Sequence, residues 1–220
     1  MPEIPEVPFS IRILVLVAVL AVSALIDRWR YGSEANRWRE YSFLLGAAVL
    51  GGVFAALNDQ ISLALSPEFF EFGKGIERDA DFHLNVTALG FHAGFLGGAV
   101  LGGVLLLFNQ GKPDRPALPF KALWLRTPWI LASAVLFGVL GLLLFWAFGL
   151  GTEVTSVMSE QAAAGFHRVQ GLHSGLYAGA LIGLVIAVLR VRRARQRVSS
   201  ASIAPESLPV TSPTNTPSGP

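Results

Sequence analysis

A chain of 220 residues of which 52% are hydrophobic and only 15% charged has more apolar surface than a single soluble core of that size needs. It has no cysteine, which excludes a disulfide framework and a thiolate metal site and leaves His, carboxylate or backbone oxygen to hold any metal or cofactor. The formal net charge of +2 says little in sum, and no nucleic-acid partner is expected.

Crossing a hydrocarbon layer by helix takes about 20 mostly apolar residues, and windows near that length recur along the chain. Residues 1–10 contain Glu3, Glu6 and several prolines and lack the basic start of a secretory signal. The first run, about 9–26, is therefore expected to be retained, with cleavage after Val22-Ser23-Ala24 as the alternative. From Asp27 to Glu40 the connection carries Arg28, Arg30, Arg37 and Arg39 among Trp29, Tyr31 and Trp38, with Tyr41 following, a mixture suited to a membrane–water interface. The second run, about 41–57, is dense in Gly and Ala and is expected to stop at Asn58-Asp59-Gln60, opening a polar loop over 58–87. Within that loop Ile61, Leu63 and Leu65 alternate with small residues and read as extended. Ser66-Pro67-Glu68 then reads as a helix opening, with Ser accepting from orphan amides, Pro in the first turn and Glu complementing the dipole. The short helix it starts carries Phe69, Phe70 and Phe72 and should end near Gly73 or Gly75. Asn85-Val86-Thr87 matches a glycosylation sequon, a pattern of low specificity.

The third run covers about 88–108. A basic, proline-broken connection, 109–127, sets Lys112, Arg115, Lys121 and Arg126 against Asp114. The fourth run, about 128–150, leads to a second polar loop, 151–170, with Glu153, Glu160, Gln161, His167 and Gln170. The fifth covers about 171–189. Beyond it Arg190, Arg192, Arg193, Arg195 and Arg197 precede a Ser/Pro/Thr tail with too little apolar surface to fold. The expected fold is all-α: a polytopic membrane helix bundle of five spans over 1–189, with a basic, then disordered, cytoplasmic tail over 190–220.

The charges orient this bundle. With the C-terminal arginines in the cytoplasm and alternating spans, every Lys and Arg except Arg12, Lys74, Arg78 and Arg168 falls on the cytoplasmic side. Glu3, Glu6, Asp59, Glu68, Glu71, Glu77, Asp79, Asp81, Glu153 and Glu160 fall outside. The expectation is a plasma (inner) membrane protein, N-terminus outside and C-terminus cytoplasmic.

The chain also repeats itself. Gly90-Phe91-His92-Ala93-Gly94 and Gly171-Leu172-His173-Ser174-Gly175 share a Gly-x-His-small-Gly pattern, and glycine continues at every fourth residue to Gly102 and Gly183. A parallel internal repeat follows, helices 2–3 and helices 4–5 each forming a hairpin. Each glycine row makes a smooth ridge for close helix approach, within the chain or in a homo-oligomer. His92 and His173 point away from these ridges. They can converge only if each ridge receives its own hairpin partner. Gln170, His173 and Tyr177 share one helix face, and Asn85 joins the face of His92 if that helix extends outward.

Asp59-Gln60-Ile61-Ser62, then Ser66-Pro67-Glu68-Phe69-Phe70, and the late His173 with Tyr177 and Gly179 resemble the pattern of a group of uncharacterised bacterial multi-pass membrane proteins. Phe69 stands where that pattern usually has Tyr, and Ser174 where Asn often follows the His. The resemblance implies no reaction; it marks Asp59, Gln60, Glu68, His173 and Tyr177 as positions to examine.

The leading functional expectation is an outward-facing acidic and histidine cluster that is structural or ligand-binding, with the lipid bilayer as partner. Ser66, Pro67, Asn85, Gln60 and Gln170 would support it. A second reading is a metal-dependent or acid–base membrane enzyme, with Asp59, Glu68, His173 and Tyr177 as catalytic candidates and Asp59, Glu68, His92 and His173 as metal ligands. A third is a haem-binding electron carrier with His92 and His173 as axial ligands. A transporter is disfavoured because no ionisable residue falls near the midplane of any span.

Overall fold

A computed structural model describes residues 8–113, 115–148 and 158–203. Secondary structure there is helical, apart from an isolated bridge between Lys112 and Arg115. The helices are α1 (Phe9–Tyr31), α2 (Arg37–Leu65), α3 (Glu68–Lys74), α4 (Phe82–Phe108), α5 (Phe120–Trp124), α6 (Thr127–Phe148) and α7 (Glu160–Ile203), with a 3-10 turn at Gly32–Glu34. Five of them (α1, α2, α4, α6 with α5, and α7) are long and apolar enough to cross a membrane, as an integral membrane protein requires. The expected sequon, outer-loop and tail positions 151–157 and 204–220 divide differently: Asn85 and Thr87 lie in α4, whereas 151–157 and 204–220 fall outside the described residues.

The helices are longer than apolar runs alone predict. The α2 helix does not stop at Asn58, and the stretch from Ile61 to Leu65 is helical, not extended. Nothing between 58 and 65 breaks a helix. The break comes where Pro67 forces Ser66 out of the helical region, to φ −157° and ψ 99°. Similarly, α4 starts at Phe82, six residues before the apolar run, and α7 continues through both the His167–Gln170 stretch and the arginine-rich stretch to Ile203. Polar residues propagate a helix that its apolar centre has already nucleated.

α3 forms where Ser66-Pro67-Glu68 marks it, but its start works differently. The Ser66 hydroxyl donates to the Glu68 carboxylate at 3.0 Å instead of capping an amide. Its end uses Gly75, whose φ of +67° only glycine adopts without strain. Amides of Gly75 and Ile76 close the last turn on carbonyls of Glu71 and Phe70.

Each glycine row receives its own hairpin partner. Gly94 abuts the Gly51 carbonyl and Ala55 of α2, Gly98 abuts Ala47, and Gly102 abuts the Ala47 side chain. In the second hairpin Gly171 abuts Gly141 and Phe145, Gly175 abuts Phe137, and Gly179 abuts Ser133 and Ala134. Contacts this close put backbone on backbone, where dispersion replaces the hydrophobic drive that lipid does not supply.

The hairpins join at both ends. At one, Phe43, Leu105, Leu123, Ile130, Ala187 and Val191 form a buried cluster, and the Trp124 ring packs on Phe43 and beside Gly46. At the other, Phe69 and Phe70 of α3 cluster with Leu63 of α2, Phe82 and Val86 of α4 and Val169 of α7. α1 touches α4 through Phe9, which stacks on His92, but no residue of its apolar window is buried by the rest of the chain. Its tether is Asp27, which accepts from the amides of Asn36 and Arg37 at 3.1 Å each and pairs with the Arg37 guanidinium at 3.3 Å. A buried side chain of α1 thus caps the start of α2.

Gly94→Ala should lower the thermal stability of detergent-purified protein by about 1–3 kcal/mol, as overpacking does. Gly97→Ala, three residues on, has nothing within 4 Å to displace and should melt with the wild type.

Candidate functional site

Because α2 stays helical through its polar end, Asp59, Ser62 and Ser66 stand at i, i+3 and i+7 on one face, and that face meets α7. His173 is the residue it meets. The His173 Nε2 is hydrogen-bonded to the Ser62 hydroxyl at 3.0 Å and lies 3.7 Å from Asp59 Oδ1. Its ring packs on Phe69, centroids 4.9 Å apart, with Phe70 edge-on at 6.3 Å. Asp59 and Ser62 are buried, as is Ser66. The Asp59 carboxylate sits over Gly90, where any Cβ would strike Oδ2 at 2.7 Å. One glycine of the repeat therefore makes room for a side chain, where its neighbours make room for backbone.

Beneath this cluster lies a cavity of about 150 Å³ between the hairpins. Asn58, Asp59, His173 and Tyr177 line its polar end; Phe54, Gly94, Gly97, Ala134 and Leu176 line its apolar body. Ala93, Gly97 and Tyr177 are exposed, so the cavity opens sideways toward the surface that would face lipid.

A second polar group ties α2 to α4. The Gln60 side-chain amide donates to Thr87 Oγ1 at 2.8 Å and to the His83 carbonyl at 3.2 Å, and Gln60 Oε1 lies 3.3 Å from His83 Nδ1. Thr87 itself donates to the His83 carbonyl. None of these bonds involves His173, and the group reads as a clasp between the two helices.

The sequence candidates therefore separate. Asp59, His173 and Tyr177 come together, the Tyr177 ring 6.4 Å from that of His173. Glu68 is engaged by Ser66, and Pro67 opens α3. Gln170 and Asn85 are exposed. His92 stacks on Phe9 of α1, ring centroids 3.7 Å apart, and does not line the cavity. Each ridge does receive its hairpin partner, yet the two histidines have different neighbours, Phe9 for His92 and Ser62 with Asp59 for His173. Among the described residues no three His, Asp or Glu side chains group as metal ligands.

Asn58, Ser62 and Gly90 are site residues that pattern reading missed. The signal was the i, i+3 spacing of Asp59 and Ser62, hidden once the helix was ended at Asn58. His167, expected in a polar loop, lies in α7 and is buried, with neither ring nitrogen hydrogen-bonded.

Ser62, His173 and Asp59 are three residue types of a hydrolytic triad, but their wiring is different. Serine and aspartate both address Nε2, whereas a triad places the carboxylate on the other ring nitrogen to orient the base. The arrangement fixes an imidazole beside a carboxylate at the end of an apolar cavity. Groups of these types can donate and accept hydrogen bonds.

Compared with known proteins, the chain matches no protein-family model, no curated protein and no solved structure.

Ser62→Ala should destabilise the protein by about 1 kcal/mol, the typical worth of one hydrogen bond. In a double-mutant cycle with His173→Phe, thermal melts should give a coupling of about 0.5–3 kcal/mol, as residues in contact do. Additive effects would mean that the two side chains do not meet.

Proposed function

We propose that this chain is a ligand-binding protein of the bacterial inner membrane, with its N-terminus outside, its C-terminus cytoplasmic and its site in the outer half of the bundle. The guest is a small amphiphile carrying a hydroxyl or similar donor. The observation that carries this reading is the cavity itself: an apolar trough open sideways and closed at its polar end by the Asp59–His173 pair. A cavity of this size takes about one six-membered ring. Asp59 offers a buried acceptor to a donor on that ring, and a buried acceptor rejects a guest that cannot pair with it.

The orientation rests on the asymmetry of Lys and Arg, and the packing supports it. Trp124 of the 109–127 connection packs on Phe43 near the start of α2, and Arg195 of α7 bonds to carbonyls of Phe108, Gln110, Arg115 and Pro116. The arginine-rich connections thus gather at one end. The hairpin-level repeat is supported in the same way. Partners of the glycine rows correspond at one constant offset: Ala47 with Ser133, Ala55 with Gly141, Asp59 with Phe145. In this reading the second hairpin has an aromatic ring where the first has its carboxylate, so one site forms, not two. The resemblance to bacterial multi-pass proteins falls on the same residues, Asp59, His173 and Tyr177. With both glycine rows occupied inside the chain, self-association falls to α1.

Because the chain lacks cysteine, single introduced thiols report sidedness directly. Glu77→Cys should react with an impermeant maleimide in intact cells, and Lys121→Cys only after lysis; the reverse pattern would invert the topology. For the ligand, 4-octylphenol should raise the melting temperature of purified wild type more than octylbenzene does, by up to about 3 kcal/mol of added stability at a hundredfold excess over its dissociation constant. Gly97→Leu, which fills the cavity from open space, and Asp59→Asn should remove the difference between the two compounds. A wild type that responds equally to both would sink the polar-end assignment.

A further inference from the structure

The opposite end of the bundle carries a separate groove of about 590 Å³, between the end of α4, the turn after it and α7. Its position is fixed by one buried arginine. The Arg195 guanidinium donates to the carbonyls of Phe108 at 2.7 Å, Gln110 at 2.6 Å, Arg115 at 2.6 Å and Pro116 at 3.2 Å. A cation that saturates four carbonyls is a staple, and it is not available to a guest. Beside it, however, Lys112, Arg192 and Arg193 line the same groove and are exposed.

None of the salt bridges among the described residues involves these three. Arg192 stacks over the Phe108 ring at 5.3 Å, which aims its guanidinium while leaving its N–H edges available. In the sequence, Asp114 is the single carboxylate of the 109–127 connection, against Lys112, Arg115, Lys121 and Arg126 there and the arginines that follow Leu189. The groove continues downward onto Leu107 and Leu189, large apolar residues that are themselves exposed at the end of their spans. A cationic mouth running onto an apolar wall at membrane depth matches one molecule, an anionic phospholipid, with its phosphate at the mouth and its acyl chains along the wall. A free phosphate would use the mouth and gain nothing from the wall.

We infer that Lys112, Arg192 and Arg193 form a headgroup site for an anionic phospholipid of the cytoplasmic leaflet, held open by the Arg195 staple. The choice of leaflet rests on the orientation proposed above, whereas the site itself does not rest on what the cavity at the other end binds.

The test counts lipid retained by native mass spectrometry on the full chain, purified in mild detergent and supplied with phosphatidylglycerol, phosphatidylcholine or inorganic phosphate. Wild type should retain phosphatidylglycerol in preference to phosphatidylcholine. Arg192→Gln/Arg193→Gln should weaken phosphatidylglycerol retention by about thirtyfold and Lys112→Gln by about fivefold, at one surface charge each. Arg28→Gln/Arg30→Gln, cations of another connection, should leave it unchanged. Lys112 lies outside the helices, so its variant reports on the site even if the α7 double variant fails to fold. Equal retention of both lipids, or an equal loss in the Arg28/Arg30 control, would overturn the site in favour of diffuse charge attraction. Inorganic phosphate bound as tightly as the lipid would overturn the lipid assignment and leave a free anion as the guest.

Discussion

Backbone contact across glycine is the constraint on which the rest of this molecule depends. Helices surrounded by lipid gain nothing hydrophobic by meeting, so they must meet closely enough for dispersion to hold them. Here α4 and α7 each present glycine every fourth residue to a partner helix, and the partner supplies glycine, alanine or a bare carbonyl in return. Two tight hairpins result. Between them the packing is looser, and the cavity lies in that looser seam.

The polar cluster is a consequence of the same geometry. Gly90 belongs to the packing row, yet its missing side chain is filled by the Asp59 carboxylate. That places a buried acid within reach of His173 on the other hairpin, with Ser62 between the two elements as a hydrogen-bonding partner. An unpaired polar group at this depth would cost several kcal/mol, so the cluster joins the hairpins where their polar groups pair. The Phe69 and Phe70 rings of α3 cover it from outside. A short helix bounded by Pro67 and Gly75 is thereby the roof of the site.

The two ends of the bundle do different work with charge. At the acidic end, Asp59 is buried over Gly90 beside His173, whose ring packs on Phe69 and Phe70. At the basic end, Asp27 and Arg195 show how buried charges are accommodated: each bonds to backbone groups, amides for the carboxylate and carbonyls for the guanidinium. Both tie a connection to a span, and both lie just where a span meets its connection.

The sequence by itself determined the all-helical class, the approximate place of five spans, the α3 helix with its glycine end, and the glycine rows. These are properties of composition and of period, and a local chemical rule is enough to read them. The resemblance to multi-pass proteins marked Asp59, Gln60, Glu68, His173 and Tyr177 alike, and only the packing separates the group of Asp59, His173 and Tyr177 from the Gln60 clasp and the Ser66–Glu68 bond. What sequence alone could not fix was where helices end. A polar triplet such as Asn58-Asp59-Gln60 is a poor membrane residue set but an acceptable helical one, and only the packing of α2 on α4 and α7 decided that the helix runs on to Leu65. That continuation turned Ser62 inward and created the site. The fate of His92 was likewise tertiary: its pattern equals that of His173, but α1 stands beside it and Asp59 does not, so one histidine stacks on Phe9 while the other joins an acid. Equal local sequence met unequal neighbours, and neighbours are what a repeat does not encode.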